Sequence, residues 1–159
     1  MAYQRLQPTR AIQIIPTDDL LLPGGPGSRL AFGETTAVLA DSLQDDVASV
    51  DFRTIIKAGD TVYNLSTGSG ARVIGVPETR VLTLSDDIFT AVGDIYIVGS
   101  VVKGSGAALW VGTGGSISGK TAGGDDIVLD NIPDGSLLPI LMSVINQTGT
   151  TATGIYGLW

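Results

Sequence analysis

Residues 114–121 are the stretch whose residue types and spacing match a catalytic motif. They read Gly-Gly-Ser-Ile-Ser-Gly-Lys-Thr, the pattern of a P-loop, whose Lys and backbone N–H groups bind phosphates. A working P-loop opens a helix, because phosphate binds at the helix N-terminus. Here the chain continues Ala-Gly-Gly-Asp-Asp-Ile-Val-Leu, which does not favour a helix. We therefore expect a glycine-rich hairpin loop that binds no nucleotide, in which Gly114, Gly119, Lys120 and Thr121 match by chance.

Four pairs of adjacent aspartates could supply carboxylates for glycoside hydrolysis or for a Ca²⁺ ion. Neighbouring residues on a strand point to opposite faces, so the two carboxylates of a pair would not converge there. Aspartate is also common in turns, and the ligand spacing of a calcium-binding loop is absent. We expect turn residues, with a structural calcium site as the alternative, at 18–19, 45–46, 86–87 and 125–126.

The composition excludes several common kinds of catalytic site. The chain has no cysteine and no histidine, which excludes thiolate nucleophiles, histidine bases and the usual zinc ligand sets. Among the remaining residues only a serine nucleophile with a lysine base could be paired, and no sequence pattern supports that option. We expect no catalytic residue, no metal site and no cofactor, and hence a protein that is not an enzyme.

Charge and hydropathy indicate an assembling protein. The net charge of −7 and the scattered basic residues argue against a nucleic-acid surface, which needs clustered Lys and Arg. Only 16% of the residues are charged, against about a quarter in typical domains, and mean hydropathy is +0.33. Part of the surface is therefore expected to be covered in an assembly. We expect neither a membrane protein nor a Sec-exported one, because no apolar run approaches about 18 residues and the first ten residues lack a signal-peptide core.

Short β-branched and aromatic segments separated by turn residues predict an all-β fold of two small β-sandwich or barrel modules. Residues 30–43 fit either a helix or a strand with a turn, and residues 41–46 could form one helical turn. Pro139 inside the run 137–145 predicts an edge position or a bulge. The predicted strands cover residues 10–15, 50–55, 61–65, 71–76, 80–84, 94–98, 108–111, 116–120, 126–129, 137–145 and 151–158.

Two parts of the chain resemble a family of virion proteins of tailed phages and gene transfer agents, described as head-spike base proteins. The similar segments are Leu-Trp-Val-Gly-Thr-Gly-Gly at 109–115, Thr-Ala-Gly-Gly-Asp at 121–125 and Asn-Ile-Pro-Asp-Gly-Ser-Leu-Leu-Pro at 131–139. The closing residues 148–159 and the early segment 11–19 are also similar to the family. The resemblance covers about half of the chain.

The resemblance implies an insertion. A shorter family form would join the two similar parts directly, whereas here residues 31–104 intervene. This insert is itself similar to a small β module of phage structural proteins, through the segments 58–64 and 82–89. The implied organisation is a discontinuous spike-base-like module of residues 1–30 plus 105–159, with 31–104 as the inserted module.

The function implied by the resemblance is that of a non-enzymatic virion protein on the capsid exterior, made in the host cytoplasm. It would be a capsid decoration (cement) protein or a head-spike base. The implied partners are copies of itself in a trimer or pentamer, the major capsid protein and, as a further candidate, a spike fibre, with no nucleic acid and no membrane. We expect the chain to end in a docked strand, and the packing or assembly candidates are Trp110, Leu138, Ile155, Tyr156 and Trp159.

Three alternatives stay open at this point. The inserted module is not confined to one virion location, so a tail, neck or baseplate component is the nearest alternative. A glycan-binding module could use exposed Tyr or Trp side chains. A nucleotide-binding enzyme would require the P-loop pattern to be functional.

Overall fold

The structure, a computed structural model, describes residues 8, 11–18, 20–22, 29–101 and 106–159. Within these ranges the chain is almost entirely β-structure, as predicted, with one four-residue helix. In chain order the elements are β1 (Ala11–Gln13), β2 (Arg29–Glu34), β3 (Ser42–Gln44), α1 (Phe52–Ile55), β4 (Thr61–Asn64), β5 (Ser69–Glu78), β6 (Val81–Leu84), β7 (Ile95–Gly99), β8 (Ala107–Thr113), β9 (Gly115–Thr121), β10 (Asp126–Ile132), β11 (Ser136–Ile145) and β12 (Thr153–Leu158).

The strands form two six-stranded antiparallel sheets. The first has the order β1-β12-β8-β11-β9-β10, and the second has the order β2-β7-β4-β5-β6-β3. The first sheet therefore joins an N-terminal strand to five strands from the last third of the chain, while every strand of the second comes from the residues between them. The predicted fold class is confirmed: two β modules, one discontinuous and the other inserted in it.

The second sheet curls until its two ends meet. The backbone N–H of Thr36, just after β2, donates a 2.9 Å hydrogen bond to the carbonyl of Gln44 at the end of β3, and Ala37 forms a bridge with Gln44. The curl encloses a separate core, whose largest fully buried side chains are Leu43, Phe52, Leu82, Leu84, Phe89 and Tyr96.

The two modules meet at a small apolar junction. Ile12, Ile15 and Leu20 pack against Tyr63 and Ile97 of the second sheet. Just beside them, the hydroxyl of Thr61 donates a 2.7 Å hydrogen bond to the carbonyl of Leu21, and Gly70 leaves the space taken by the Thr17 side chain. The segment that follows β1 therefore fastens the inserted module to the first sheet.

Residues 50–55 were expected to form a strand, and this prediction is wrong, because α1 spans Phe52–Ile55. The carboxylate of Asp51 caps the helix by accepting a 2.9 Å hydrogen bond from the N–H of Arg53, as N-cap aspartates do. Phe52 is fully buried in the core of the second sheet. A cap and one buried anchor therefore override the β-propensity of the segment.

The helical alternatives for residues 30–43 and 41–46 are also wrong. These residues form β2, a turn and β3. Asp41 adopts a positive φ of 50°, a left-handed conformation that a continuous right-handed helix cannot contain. The strand-and-turn alternative is the correct one.

Pro139 lies at a bulge of β11, as one of the two alternatives predicts. β11 lies between β8 and β9, but its pairs with β9 begin only at Met142, beyond Pro139. On the β8 side the register shifts between Leu138 and Met142, and on the β9 side it shifts between Met142 and Val144. The missing N–H of Pro139 falls where the ladder to β8 is already interrupted, which is how a proline is tolerated inside a sheet.

β12 is held on both sides, by β1 and by β8. Trp159 follows it and packs against the core of the first sheet and against the junction between the modules. A Cβ at Gly157 would lie 2.7 Å from the Trp159 ring, so this position needs a glycine for the ring to fold back on its own strand.

Candidate assembly surface

The P-loop pattern lies mostly in a strand, which corrects the expectation of a loop. Gly114 is in the turn between β8 and β9, whereas Gly119, Lys120 and Thr121 belong to β9. β9 is paired on both sides, with β11 and β10. After Thr121 a tight turn leads directly into β10, so the helix N-terminus on which a P-loop holds phosphate does not follow the motif in the described range 106–159.

Both glycines of the pattern are required by close backbone contacts. A Cβ at Gly114 would overlap the carbonyl oxygen of Ile132, and a Cβ at Gly119 would overlap that of Val144. Gly119 faces β11 beside its register shift, where the two backbones approach closely. The glycines that resemble a phosphate loop therefore serve strand packing.

The polar residues of the pattern form local contacts. Lys120 lies directly opposite Asp126 on β10, and its ammonium is 3.4 Å from that carboxylate in a largely exposed ion pair. The hydroxyl of Thr121 accepts a 3.1 Å hydrogen bond from the N–H of Asp125. These contacts close the turn between β9 and β10.

The described aspartates of these pairs accept hydrogen bonds from other residues of the chain. Asp18 accepts hydrogen bonds of 2.8 and 2.7 Å from the N–H and hydroxyl of Thr148, which hold the pKa of this exposed carboxyl below its usual value. Asp45 is buried and accepts from the Tyr96 hydroxyl, and Asp86 accepts from Ser85. No group of three or more acidic side chains that could hold a metal ion is found in the described part of the chain. Asp19 lies outside the described residues.

The outer face of the first sheet carries a row of large apolar side chains. Leu137 on β11 lies directly opposite Trp110 on β8, and Trp110 lies directly opposite Tyr156 on β12. Because opposite residues of an antiparallel pair share a face, the three side chains form one line across three adjacent strands. Their exposed fractions are 52%, 40% and 37%, and the Trp110 and Tyr156 rings lie 6.2 Å apart. We call these three residues the outer row.

The alternation of the strands explains the outer row. On β8, Leu109 and Val111 on either side of Trp110 are fully buried. On β12, Ile155 is buried next to Tyr156, and on β11 Leu138 packs against the core next to Leu137. On each of these three strands the buried neighbours are apolar, and the outward residue of the outer row is apolar as well.

The structure divides the five packing or assembly candidates into exposed residues and core residues. Trp110 and Tyr156 lie in the outer row, while Leu138, Ile155 and Trp159 pack against the core. Sequence reasoning missed Leu137. The sequence indicates the adjacent Leu138, and only the pairing of β11 with β8 reveals which of the two leucines faces outward.

An exposed apolar row on a rigid sheet is suited to binding another protein. Soluble monomers rarely expose contiguous apolar patches without a binding role, and Trp and Tyr are enriched where interfaces bind most strongly. Val128 and Leu141 add further exposed apolar side chains on β10 and β11.

Comparison of the chain with known protein families, with curated proteins and with solved structures finds no match. Within the described ranges, no helix is long and apolar enough to cross a membrane.

Proposed function

We propose that this chain is a structural protein of a phage virion, a capsid decoration (cement) protein or head-spike base on the capsid exterior. It acts by binding copies of itself and the major capsid protein, and it catalyses no reaction. The outer row of Leu137, Trp110 and Tyr156 is the observation that carries the proposal. The resemblance of the segments 109–115 and 131–139 to head-spike base proteins supports the virion location.

The geometry of the outer row suits a stable contact with another protein. β8 is paired on both sides, with β11 and β12, so the Trp110 backbone is fixed before any partner binds. The rings of Trp110 and Tyr156 also support each other at a 57° tilt. Less conformational entropy is lost when preorganised side chains are covered than when mobile ones are, which favours affinity.

Binding to purified capsids tests the proposal. Labelled protein is mixed with capsids that lack it, and bound label is measured after sedimentation. Trp110→Ser and Leu137→Ser are expected to lower the affinity by at least about tenfold, as substitutions at interface centres do. Val92→Ser is the matched control, since Val92 is 65% exposed in the inserted module. Full capsid binding by both outer-row variants, each with wild-type stability, would refute the role of this face.

A tail, neck or baseplate location is the structural alternative. In this alternative the outer row binds a tail protein and not the major capsid protein, so the location in the virion differs while the binding surface is the same. Gold-labelled protein seen by electron microscopy on tails, and absent from heads, would decide for it.

The exposed Trp110 and Tyr156 rings also favour one alternative of another class, a glycan-binding module. Aromatic faces can stack on sugar rings, whereas Leu137 cannot. Glycan binding on an array, lost in Trp110→Ala and kept in Leu137→Ser, would support this alternative. Capsid binding that is lost in both variants supports the structural function.

A further inference from the structure

The outer row lies on the part of the first sheet that carries no charge. Its three residues belong to β8, β11 and β12, and β1 follows β12 at the edge of the same sheet. None of the residues in these four strands is charged, although the chain has 16 acidic and 9 basic residues. The charged strand residues of this sheet are Lys120 on β9 and Asp126 and Asp130 on β10. The sheet therefore has a charged part and an uncharged part.

Gln13 extends the outer row to the edge of the sheet. It lies directly opposite Tyr156 in the register of β1 and β12, and opposite residues of an antiparallel pair share a face. Gln13 is exposed, and its amide is polar without being charged. From the edge inward, the line across four strands is therefore Gln13, Tyr156, Trp110 and Leu137.

Two glycines lie beside this line on the same face. Gly112 follows Trp110 by two residues on β8, and Gly154 precedes Tyr156 by two residues on β12, so both face outward with the outer row. A Cβ at Gly112 would lie 3.3 Å from Cζ3 of the Trp110 ring and 3.2 Å from the carbonyl oxygen of Gly154. The Trp110 ring therefore lies over backbone that carries no side chain. We call the six residues the uncharged face: Gln13, Tyr156, Trp110, Leu137, Gly112 and Gly154.

We propose that the surface of the major capsid protein that covers the uncharged face is itself apolar and uncharged. A charged group of the partner would lose its water here without gaining an opposite charge, which is strongly unfavourable. An apolar partner surface has no such cost, and it leaves water together with Trp110, Tyr156 and Leu137. The centres of protein interfaces are depleted of charged residues in the same way. This inference rests on the proposed function and specifies the chemistry of the surface that the outer row binds.

The dependence of capsid binding on salt tests the absence of charge in the contact. Ion pairs weaken as salt screens them, whereas sulfate strengthens the burial of apolar surface. The affinity for capsids is therefore expected not to fall between about 0.05 and 0.5 M NaCl, and to rise in ammonium sulfate. A fall in affinity of about tenfold or more over the same range of NaCl would indicate opposite charges in the contact and would overturn the proposal.

Charges of both signs at position 13 test the partner surface directly. Gln13→Glu and Gln13→Lys are each expected to lower the affinity for capsids by at least about tenfold, because either charge would be buried without a partner. Val92→Glu and Val92→Lys are the controls, since Val92 is 65% exposed in the inserted module. A gain in affinity for one sign would reveal an opposite charge on the partner and overturn the proposal. Unchanged affinity in both variants would also overturn it, because the contact would then not reach Gln13.

Retention on phenyl-agarose tests the same face without a capsid. The beads present an apolar, uncharged surface, and ammonium sulfate promotes binding to it. The folded wild-type protein is expected to be retained, and Trp110→Ser and Leu137→Ser should elute at distinctly higher sulfate concentrations as the salt is lowered. Val92→Ser is the control for the loss of one exposed apolar side chain elsewhere. Shifts in the outer-row variants no larger than the shift in Val92→Ser would overturn the proposal.

The outcomes separate this inference from the proposed function. If capsids bind with an affinity that NaCl strongly lowers, the proposed function stands and the uncharged partner surface is wrong. If retention on phenyl-agarose depends on the outer row but no virion component binds, the proposed function is wrong and the chemistry of the uncharged face stands. Sedimentation of the protein alone covers the remaining occupant. A dimer that is lost in Trp110→Ser would place a second copy on the uncharged face and overturn its assignment to the capsid.

Discussion

The hydroxyl of Tyr96 donates a 2.7 Å hydrogen bond to the buried carboxylate of Asp45, 51 residues earlier in the chain. The Tyr96 ring packs edge-on against both Phe52 and Phe89, and Gly33 leaves the space in which the hydroxyl and the carboxylate meet. One hydrogen bond therefore joins β7 to the end of β3 inside the curled sheet.

Tyr96→Phe should destabilise the protein by about 1–3 kcal/mol, because it leaves a buried acceptor without its hydroxyl donor. The N–H of Val47, which donates to the other oxygen of Asp45 at 3.0 Å, would remain. Urea denaturation at neutral pH measures the change. Tyr156→Phe is the control, since Tyr156 is exposed on the outer row. Equal stability of the two variants would contradict the role of the Tyr96 hydroxyl.

Stability should fall as the pH rises above about 10, the usual pKa of tyrosine. Burial raises the pKa of Tyr96, with a further contribution from its hydrogen bond to Asp45, and burial also raises the pKa of Tyr63. The unfolded chain then loses these protons at lower pH than the folded protein does. The stabilisation is complete below the unfolded pKa and is lost as the pH rises toward the folded pKa. Urea midpoints from pH 8 to 11 test this, and a flat profile would contradict it.

Gly119→Ala should destabilise the protein by about 1–3 kcal/mol, because the new Cβ would overlap the Val144 carbonyl and force the strands apart. Lys120→Ala should change stability by less than about 0.5 kcal/mol, as exposed ion pairs contribute little. Thermal unfolding of the two variants measures both effects. ATP titration of the wild-type protein and of Lys120→Ala tests the contrary interpretation. If the wild-type protein binds ATP and Lys120→Ala does not, the P-loop pattern is a functional nucleotide site.

Ile155→Ala should cost about 2–5 kcal/mol, as large-to-small substitutions in a core do, because Ile155 is only 1% exposed. Trp110→Ser removes a side chain that is 40% exposed and should cost distinctly less. Denaturant unfolding compares the two, with capsid binding measured on the folded variants. A larger loss of stability in Trp110→Ser would mean that the outer row serves the fold more than it serves a partner.

The sequence predicts most strands of this fold because local signals define them. β4, β6 and β7 are short apolar segments between turn residues, and each lies within about two residues of its predicted position. α1 escaped prediction because the Asp51 cap and the burial of Phe52 outweigh the propensity of its β-branched residues. Local pattern is therefore a good guide to strands here and a poor one to a single helical turn.

The candidate surface was only partly predictable. Trp110 and Tyr156 were singled out as large aromatic residues, but their alignment with Leu137 depends on how β8 pairs with both neighbours. The role of Gly119 depends in the same way on β11. Register between strands distant in sequence is set by the whole sheet, and no local pattern encodes it.

The pairing of β1 with β12 has a consequence for the order of folding. Ala11 lies opposite Leu158, whereas the second sheet is built entirely from residues 29–99. During synthesis the inserted module can fold as soon as β7 leaves the ribosome, since domains fold as units when their residues are available. The first sheet cannot be completed before β12 is made, because β1 has no other partner strand in the described chain. The outer row is therefore complete only once Tyr156 has been synthesised, when every residue of the second sheet is already available to fold.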